Sequence, residues 1–420
     1  MEWTNKTIGN IAFVTKLAGF EHTKYIQGNC VHEKIDDSFI PLFIGKTVRD
    51  GRIDKNFDWY IPKRIADQLP RSFLKRKCLV LPYVGTIGDL AVFDASYDAL
   101  LGSNIAKIEL NPNCGYSEEF IYYYLKSPRG QTVLLKDEQG GIQKNITMEA
   151  IRNVLLPNVD EVSQKKIVSV LSALDDKIAL NKKMNQKLER MAKRLYDYWF
   201  VQYDFPDTNG RPYKTTDGKM EYNPTLKREI PEGWTDGVLS DIANITMGQS
   251  PDGSSYNEDG EGMIFYQGCT DFGMRFPTAR QYTTAPTRFA KKGDILMSVR
   301  APVGAVNIAN TDCCIGRGLS ALNSKLGSLS HLYFLIDVFK KTFENKNTVG
   351  TTFGSITKDE LYALPVVIPD KNVIEQFEKM AKPIFDRQMK LGEESNRLTA
   401  LRDKLLPLLM NGQVEIRDVL

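Results

Sequence analysis

Two stretches of the chain carry apolar residues at alternating spacings of four and three. The first reads Ile167, Leu171, Leu174, Ile178, Asn181, Asn185, Leu188, Ala192, Leu195 and Trp199. No Pro or Gly interrupts it and charged residues fill the other faces, so it predicts one long helix with a heptad seam. Asn181 and Asn185 stand inside that seam, where a buried amide costs stability but fixes alignment with a partner. The second stretch reads Ile374, Phe377, Ala381, Ile384, Gln388, Leu391, Ser395, Leu398 and Leu405, with Arg402 on the strict register and Leu401 beside it. Asn372 as N-cap and Glu375 three residues on form a capping-box pattern. Pro383 predicts a kink in the first turns, Pro407 predicts an end to regular helix near Leu405, and Asn411-Gly412 reads as a stop. Each helix, with about 35 residues, would be on the order of 50 Å long. Alone, each would expose its stripe to water. The simplest cover for either is the other, packed as an antiparallel coiled coil.

Outside these stretches the pattern changes. Short apolar runs such as Cys78 to Leu81 and Ile295 to Met297 suit strands, punctuated by Gly85, Gly88, Pro302 and Gly304. Glu119 to Leu125 and His331 to Leu335 suit short packed helices, whose tyrosines are expected in the core. The order of these pieces repeats. Trp3-Thr4 and Asn10-Ile11-Ala12 return as Trp234-Thr235 and Asp241-Ile242-Ala243, both displaced by 231 (234 minus 3, 241 minus 10). FIGKTVRDGRI is echoed by YQGCTDFGMRF, LPYVGTIGDLAVFD by LMSVRAPVGAVNIA, and GGIQKNITMEAI by GTTFGSITKDEL. Each copy then enters its long helix. Matching positions mostly differ, which predicts one scaffold adapted to two targets. Between the copies, Pro206, Pro212, Pro224 and Pro231 among polar residues predict an extended linker.

Composition narrows the class. Of 420 residues, 42% are hydrophobic and 25% charged, which excludes a disordered chain. The formal net charge is only +3, so nucleic-acid binding would need clustered rather than summed positive charge. Six cysteines contain no C-x-x-C pair and there are three histidines, so no metal site is expected. The polar opening MEWTNKTIGN predicts no signal peptide, and no apolar run approaches the roughly 20 residues of a membrane span. A reduced, cytoplasmic protein is expected. There is no G-x-x-x-x-G-K-[ST] loop, no G-x-G-x-x-G after a strand, and no Asn-Pro-Pro or Asp-Pro-Pro followed by an aromatic residue. No catalytic centre and no cofactor of its own are expected.

The sequence LLPNVDEVSQKKIVSVLSALDDKIALNKKMNQKLERMAKRLYDYWF, its counterpart VVIPDKNVIEQFEKMAKPIFDRQMKLGEESNRLTALRDKLLPLLMNGQV, the PEGW at Pro231 to Trp234 and the MGQSPDGSSYN segment resemble the DNA specificity subunits of type I restriction-modification systems. The resemblance covers essentially the whole chain. It implies an α+β protein: two pseudo-repeated mixed α/β target-recognition domains separated by two long antiparallel helices. The divisions are 1–158 and 233–369 for the recognition domains, 159–202 and 370–412 for the spacer helices, and 203–232 for the linker. Each domain would read half of a bipartite, asymmetric site in double-stranded DNA. Two methyltransferase subunits and motor-nuclease subunits would be the partners, and S-adenosylmethionine, ATP and magnesium would belong to them.

Base reading needs donors and acceptors on exposed loops: Arg for guanine, Asn or Gln for adenine, Lys, Ser or Thr for phosphates. In the first unit the candidates are Lys46, Thr47, Arg49 and Arg52, then Gln143, Lys144 and Asn145. In the second they are Gln267, Thr270, Arg275, Arg300 and Arg317, with Thr351 and Thr352 matching the Gln-Lys-Asn stretch. Two other readings remain open: a coiled-coil adaptor with two protein-binding heads, and the reading end of a fused restriction-methylation enzyme.

Overall fold

The computed structural model describes residues 3–85, 87–136, 145–339, 354–414 and 416. Gln143, Lys144, Thr351 and Thr352 lie outside the described residues. The chain divides into two compact units, Met1–Lys177 with Leu398–Leu420, and Ile178–Arg397. The division falls inside both long helices rather than at their ends.

In the first unit, Cys78–Pro82 is a run of five buried residues. It pairs with Ile105–Leu110 and Ala91–Phe93, and Ala12–Lys16 completes a four-stranded antiparallel sheet. Side chains alternate across a strand, so Leu79 and Leu81 enter one core with Phe120, Ile121 and Leu125. Cys78 and Val80 enter another with Phe43, Phe93 and Leu101. A strand covered on both faces requires the unbroken apolar run found there. A second sheet runs in the order Tyr60–Pro62, Phe39–Phe43, Ala99–Leu101 and Phe73–Leu74, with one parallel pair, Phe39–Phe43 beside Ala99–Leu101. Trp3–Thr7 pairs with Leu155–Pro157, which ties the start of the globular part to its end.

The second unit repeats this topology. Ala243–Met247, Leu319–Ser324, Ile295–Ser298 and Val306–Ile308 form the antiparallel sheet. Ile295 and Met297 enter one core and Leu296 another. Met263–Tyr266 lies parallel to Cys313–Ile315 in the second sheet, and Thr235–Val238 pairs with Pro365–Ile368. The helices Glu118–Lys126 and Leu329–Val338 occupy matching places, and Tyr123, Tyr124 and Tyr333 are buried in the cores, as the apolar pattern predicts.

Residues 203–232 are not an extended linker. Tyr203, Phe205, Ile230 and Trp234 are buried, and the Phe205 ring stacks on Tyr213 and Trp234 at centroid distances of 4.7 and 5.1 Å. Met220–Asn223 and Arg228–Pro231 form a hairpin. The prolines disguised two aromatic residues of the segment, Tyr203 and Phe205, whose burial against Tyr213 and Trp234 offsets the cost of ordering it.

The long helices are Glu161–Tyr196, continued by a π-helical turn Asp197–Val201, and Lys371–Met410. Asp160 caps the first: its carboxylate accepts the backbone N–H groups of Val162 and Ser163 at 2.9 and 3.0 Å. Asp370 does the same for the second, accepting from Asn372 N at 2.8 Å. The N-cap is therefore Asp370, two residues before the Asn372 that the sequence pattern pointed to. Nor does Pro407 end the helix. Burial of Leu406, Leu409 and Met410 in the first unit's main core holds the last turns in place despite the missing N–H. The end comes at Gly412, with φ +68°. There Gln413 N donates to Leu408 O at 2.9 Å and Gly412 N to Leu409 O at 3.2 Å, a Schellman closure.

Within the first unit Arg402 donates to Asp175 at 2.9 Å; within the second Asn181 donates to Glu394 at 2.9 Å and Gln388 to Glu189 at 2.6 Å. Numbers rise on one helix as they fall on the other, so the packing is antiparallel. Ile167, Leu171, Asn181, Asn185 and Leu391 are buried, and Leu174, Ile178, Leu188, Leu195, Ile384, Leu398 and Leu405 are half-buried. The Arg402 position stays on the seam because Asp175 meets its charge, while Leu401 remains exposed.

Candidate nucleic-acid interface

In the second unit four loops are joined in a row by backbone hydrogen bonds. Gly316 N donates to Tyr266 O at 2.9 Å and Gly318 N to Gln267 O at 3.1 Å. Val299 N then donates to Gly318 O at 3.0 Å, and Ile356 N to Val299 O at 3.0 Å. The row runs from the Gln267 loop through the Arg317 and Arg300 loops to Ser355. The first unit has the same row. Gly102 N donates to Phe43 O at 2.6 Å, Tyr83 N to Asn104 O at 3.1 Å and Ile146 N to Tyr83 O at 2.8 Å. Isolated bridges confirm the match: Val84 with Asn145, and Arg300 with Ser355.

The row depends on glycine at one duplicated position. A Cβ on Gly102 would lie 2.8 Å from Phe43 O, and one on Gly316 would lie 2.9 Å from Gln267 Cα. Only a residue without a side chain lets these backbones approach so closely. On the rim above the row, Lys46, Gly85, Ser103 and Asn104 are exposed in the first unit. Gln267, Thr270, Arg300, Arg317 and Ser355 are exposed in the second. Lys16 sits at the same edge of the first unit, its ammonium 4.3 Å from the Tyr83 ring centroid.

The expected DNA-reading residues divide into three groups. Asn145, Gln267, Arg300 and Arg317 lie in the joined loops, with Lys46 and Thr270 beside them. Lys46 is ion-paired with Asp58, and Arg49 is exposed with its Nε donating to Lys46 O at 3.3 Å. Thr47 is buried, and its hydroxyl accepts Ile44 N at 2.9 Å; this is a turn-closing contact, not a reading group. Arg52 and Arg275 turn toward the long helices instead. Arg52 donates to Asp175 O at 3.1 Å and lies 3.9 Å from the Asp176 carboxylate. Arg275 is 5% exposed, ion-paired with Glu189, and its guanidinium carbon lies 5.0 and 4.9 Å from the Tyr333 and Phe385 ring centroids. A guanidinium so enclosed cannot reach a base edge, and the reading assigned to Arg275 is overturned.

Sequence reasoning missed Ser103, Asn104 and Ser355. The signal was available for the first two: a Gly-Ser-Asn turn between apolar runs, with Asn104 at φ +63°. Lys16 ends a strand, and nothing in its neighbours marks it.

The family model for the type I restriction modification DNA specificity domain matches residues 4–190 and again 231–399. The chain belongs to this family. Its two matched stretches coincide with the two copies of the fold, each including part of a long helix. Among relatives, the MjaX specificity subunit of Methanocaldococcus jannaschii, described as that of a type I restriction enzyme, is 27% identical over 390 residues. That match spans 90% of this chain and 88% of the relative. The type I restriction enzyme HindI specificity subunit of Haemophilus influenzae is 23% identical over 67% of this chain and 73% of its own length. The crystal structure of a type I restriction-modification system S subunit from M. genitalium shares the fold, with a TM-score of 0.57 and 16% identity. It covers 100% of this chain and 97% of its own.

Among the described residues no group of three His, Cys, Asp or Glu side chains is placed to hold a metal ion. Among them, too, no helix is long and apolar enough to cross a membrane.

Proposed function

We propose that this specificity subunit is the non-catalytic DNA reader of a type I restriction-modification enzyme, and that each globular part binds one half of a bipartite, asymmetric site. The duplicated row of joined loops carries the reading: one backbone arrangement, fixed by equivalent hydrogen bonds, presents different side chains in each copy. That is what two different half-sites require of one scaffold. Residues 1–158 and 233–369 are the two readers. Lys46, Arg49 and Asn145 serve the first, and Gln267, Thr270, Arg300 and Arg317 the second. The long helices set the spacing of the half-sites and dock two methyltransferase subunits, which the motor-nuclease subunits join. S-adenosylmethionine, ATP and magnesium act in those partners.

Co-expression of the chain with its methyltransferase subunit, followed by mapping of methylated bases, tests this. A split, asymmetric motif is expected, bound more weakly as salt rises because phosphate contacts release counterions. Partner binding that ignores both DNA and salt would favour the protein-binding adaptor and contradict the proposal.

A further inference from the structure

We infer that the two half-sites differ in base chemistry. The half read by residues 233–369 contains guanine at positions met by Arg300 and Arg317, whereas the half read by residues 1–158 has no arginine at those two places and carries A·T pairs where Val84, Asn104 and Asn145 meet it. The inference rests on the two-reader function proposed above and adds the base class each reader takes.

The duplicated loops allow position-by-position comparison. Arg300 bridges to Ser355 as Val84 bridges to Asn145, so Arg300 and Val84 occupy one place. Gly316 and Gly102 donate to equivalent carbonyls, so Arg317 and Ser103, each one residue on, occupy another. The second reader thus has a guanidinium at both places; the first has an isopropyl group and a hydroxyl. Arg300 and Arg317 are exposed, and neither guanidinium is ion-paired or hydrogen-bonded to a described residue. Their backbones are pinned all the same: Ser298 Oγ donates to Arg300 O at 2.6 Å, and Arg317 N donates to Ser250 Oγ at 3.2 Å. By contrast, Arg275 is held by Glu189 and Arg280 by Asp271. A guanidinium with no partner among the described residues, on a fixed backbone, suits bidentate contact with guanine O6 and N7. In the first reader Val84 suits a thymine methyl group, and the amides of Asn104 and Asn145 suit adenine N6 and N7.

The test uses the full chain with its methyltransferase, comparing the methylated motif of the natural chain with Arg300→Ala, Arg300→Lys and Arg317→Ala. Both side chains are exposed, so melting temperatures should match the parent's, which excludes misfolding. Expected is relaxation at a single G·C position for each alanine variant, both positions in the same half-site. Modification of the original motif should fall roughly 5- to 150-fold. Arg300→Lys should relax the same position as Arg300→Ala, because lysine keeps the charge but lacks the fork. A loss shared equally by all sequences, with a salt slope shallower by about one, would mark phosphate contacts and overturn the inference. So would unchanged specificity in a chain whose parent motif is bipartite. A parent motif that is not bipartite at all would overturn the two-reader function instead.

Discussion

His331 sits against the rings of Tyr196 and Phe200, at centroid distances of 5.7 and 4.6 Å. It is buried, and its Nδ1 has no hydrogen-bond partner. Burial disfavours the imidazolium and pulls its pKa down to about 3, from an ordinary 6.5. The unfolded chain therefore binds a proton below pH 6.5 that the folded chain refuses. Its contribution to stability is intact above that pH and is lost progressively as pH falls toward 3, by about 1.4 kcal/mol per pH unit. His331→Leu should remove this slope. Thermal melts at pH 7 and pH 4.5 should show a smaller acid-side drop for the variant than for the parent, and equal drops would contradict the assignment. Little of this was legible beforehand: HLYFL marks a buried helix face, but no spacing says that Nδ1 of the histidine goes without a hydrogen bond.

Elements are joined by side chains whose role the sequence disguised. Arg52 and Arg275 stand nine residues beyond Phe43 and Tyr266, so they are equivalent, and each reaches from its recognition turn to a long helix. Tyr123 reinforces the first link by donating to Asp175 at 2.9 Å; Tyr333 occupies the matching helix beside Arg275. In sequence both arginines looked like polar loop residues, since nothing nearby announces the tertiary contact. Arg275→Ala should cost about 2 kcal/mol, because it strips a buried partner from Glu189, itself partly solvated. The readout is a lower melting temperature with the methylated motif unchanged. Relaxation of one base with unchanged melting would return Arg275 to the reading surface. The heptad pattern marked both helices, but the second drifts: Phe385 and Leu406 are buried, while their seam neighbours Ile384 and Leu405 are half-buried, because the 3.6-residue helical turn slips against a strict 3.5-residue repeat. The caps were not legible: Asp370 and Asn372 are both good N-caps, and only the path of the preceding strand decides between them.

For the whole molecule, duplication was the most legible property. Repeated order along the chain became repeated sheet topology, down to the parallel pair in each second sheet. The 203–232 segment was misread because proline content outweighed its scattered aromatic residues. The proposed reading surface was legible only in part. Loops brought together by Gly102 and Gly316 are far apart in sequence, and Ser103, Asn104 and Ser355 gain meaning only from that convergence. In the proposed function one scaffold, used twice, reads two independent half-sites. The most direct measurement exchanges residues 1–158 for the corresponding part of another family member, co-expresses the chimera with the methyltransferase, and maps the methylated bases. One half of the motif should change while the half read by residues 233–369 stays the same. A change in both halves, or in neither, would contradict the account.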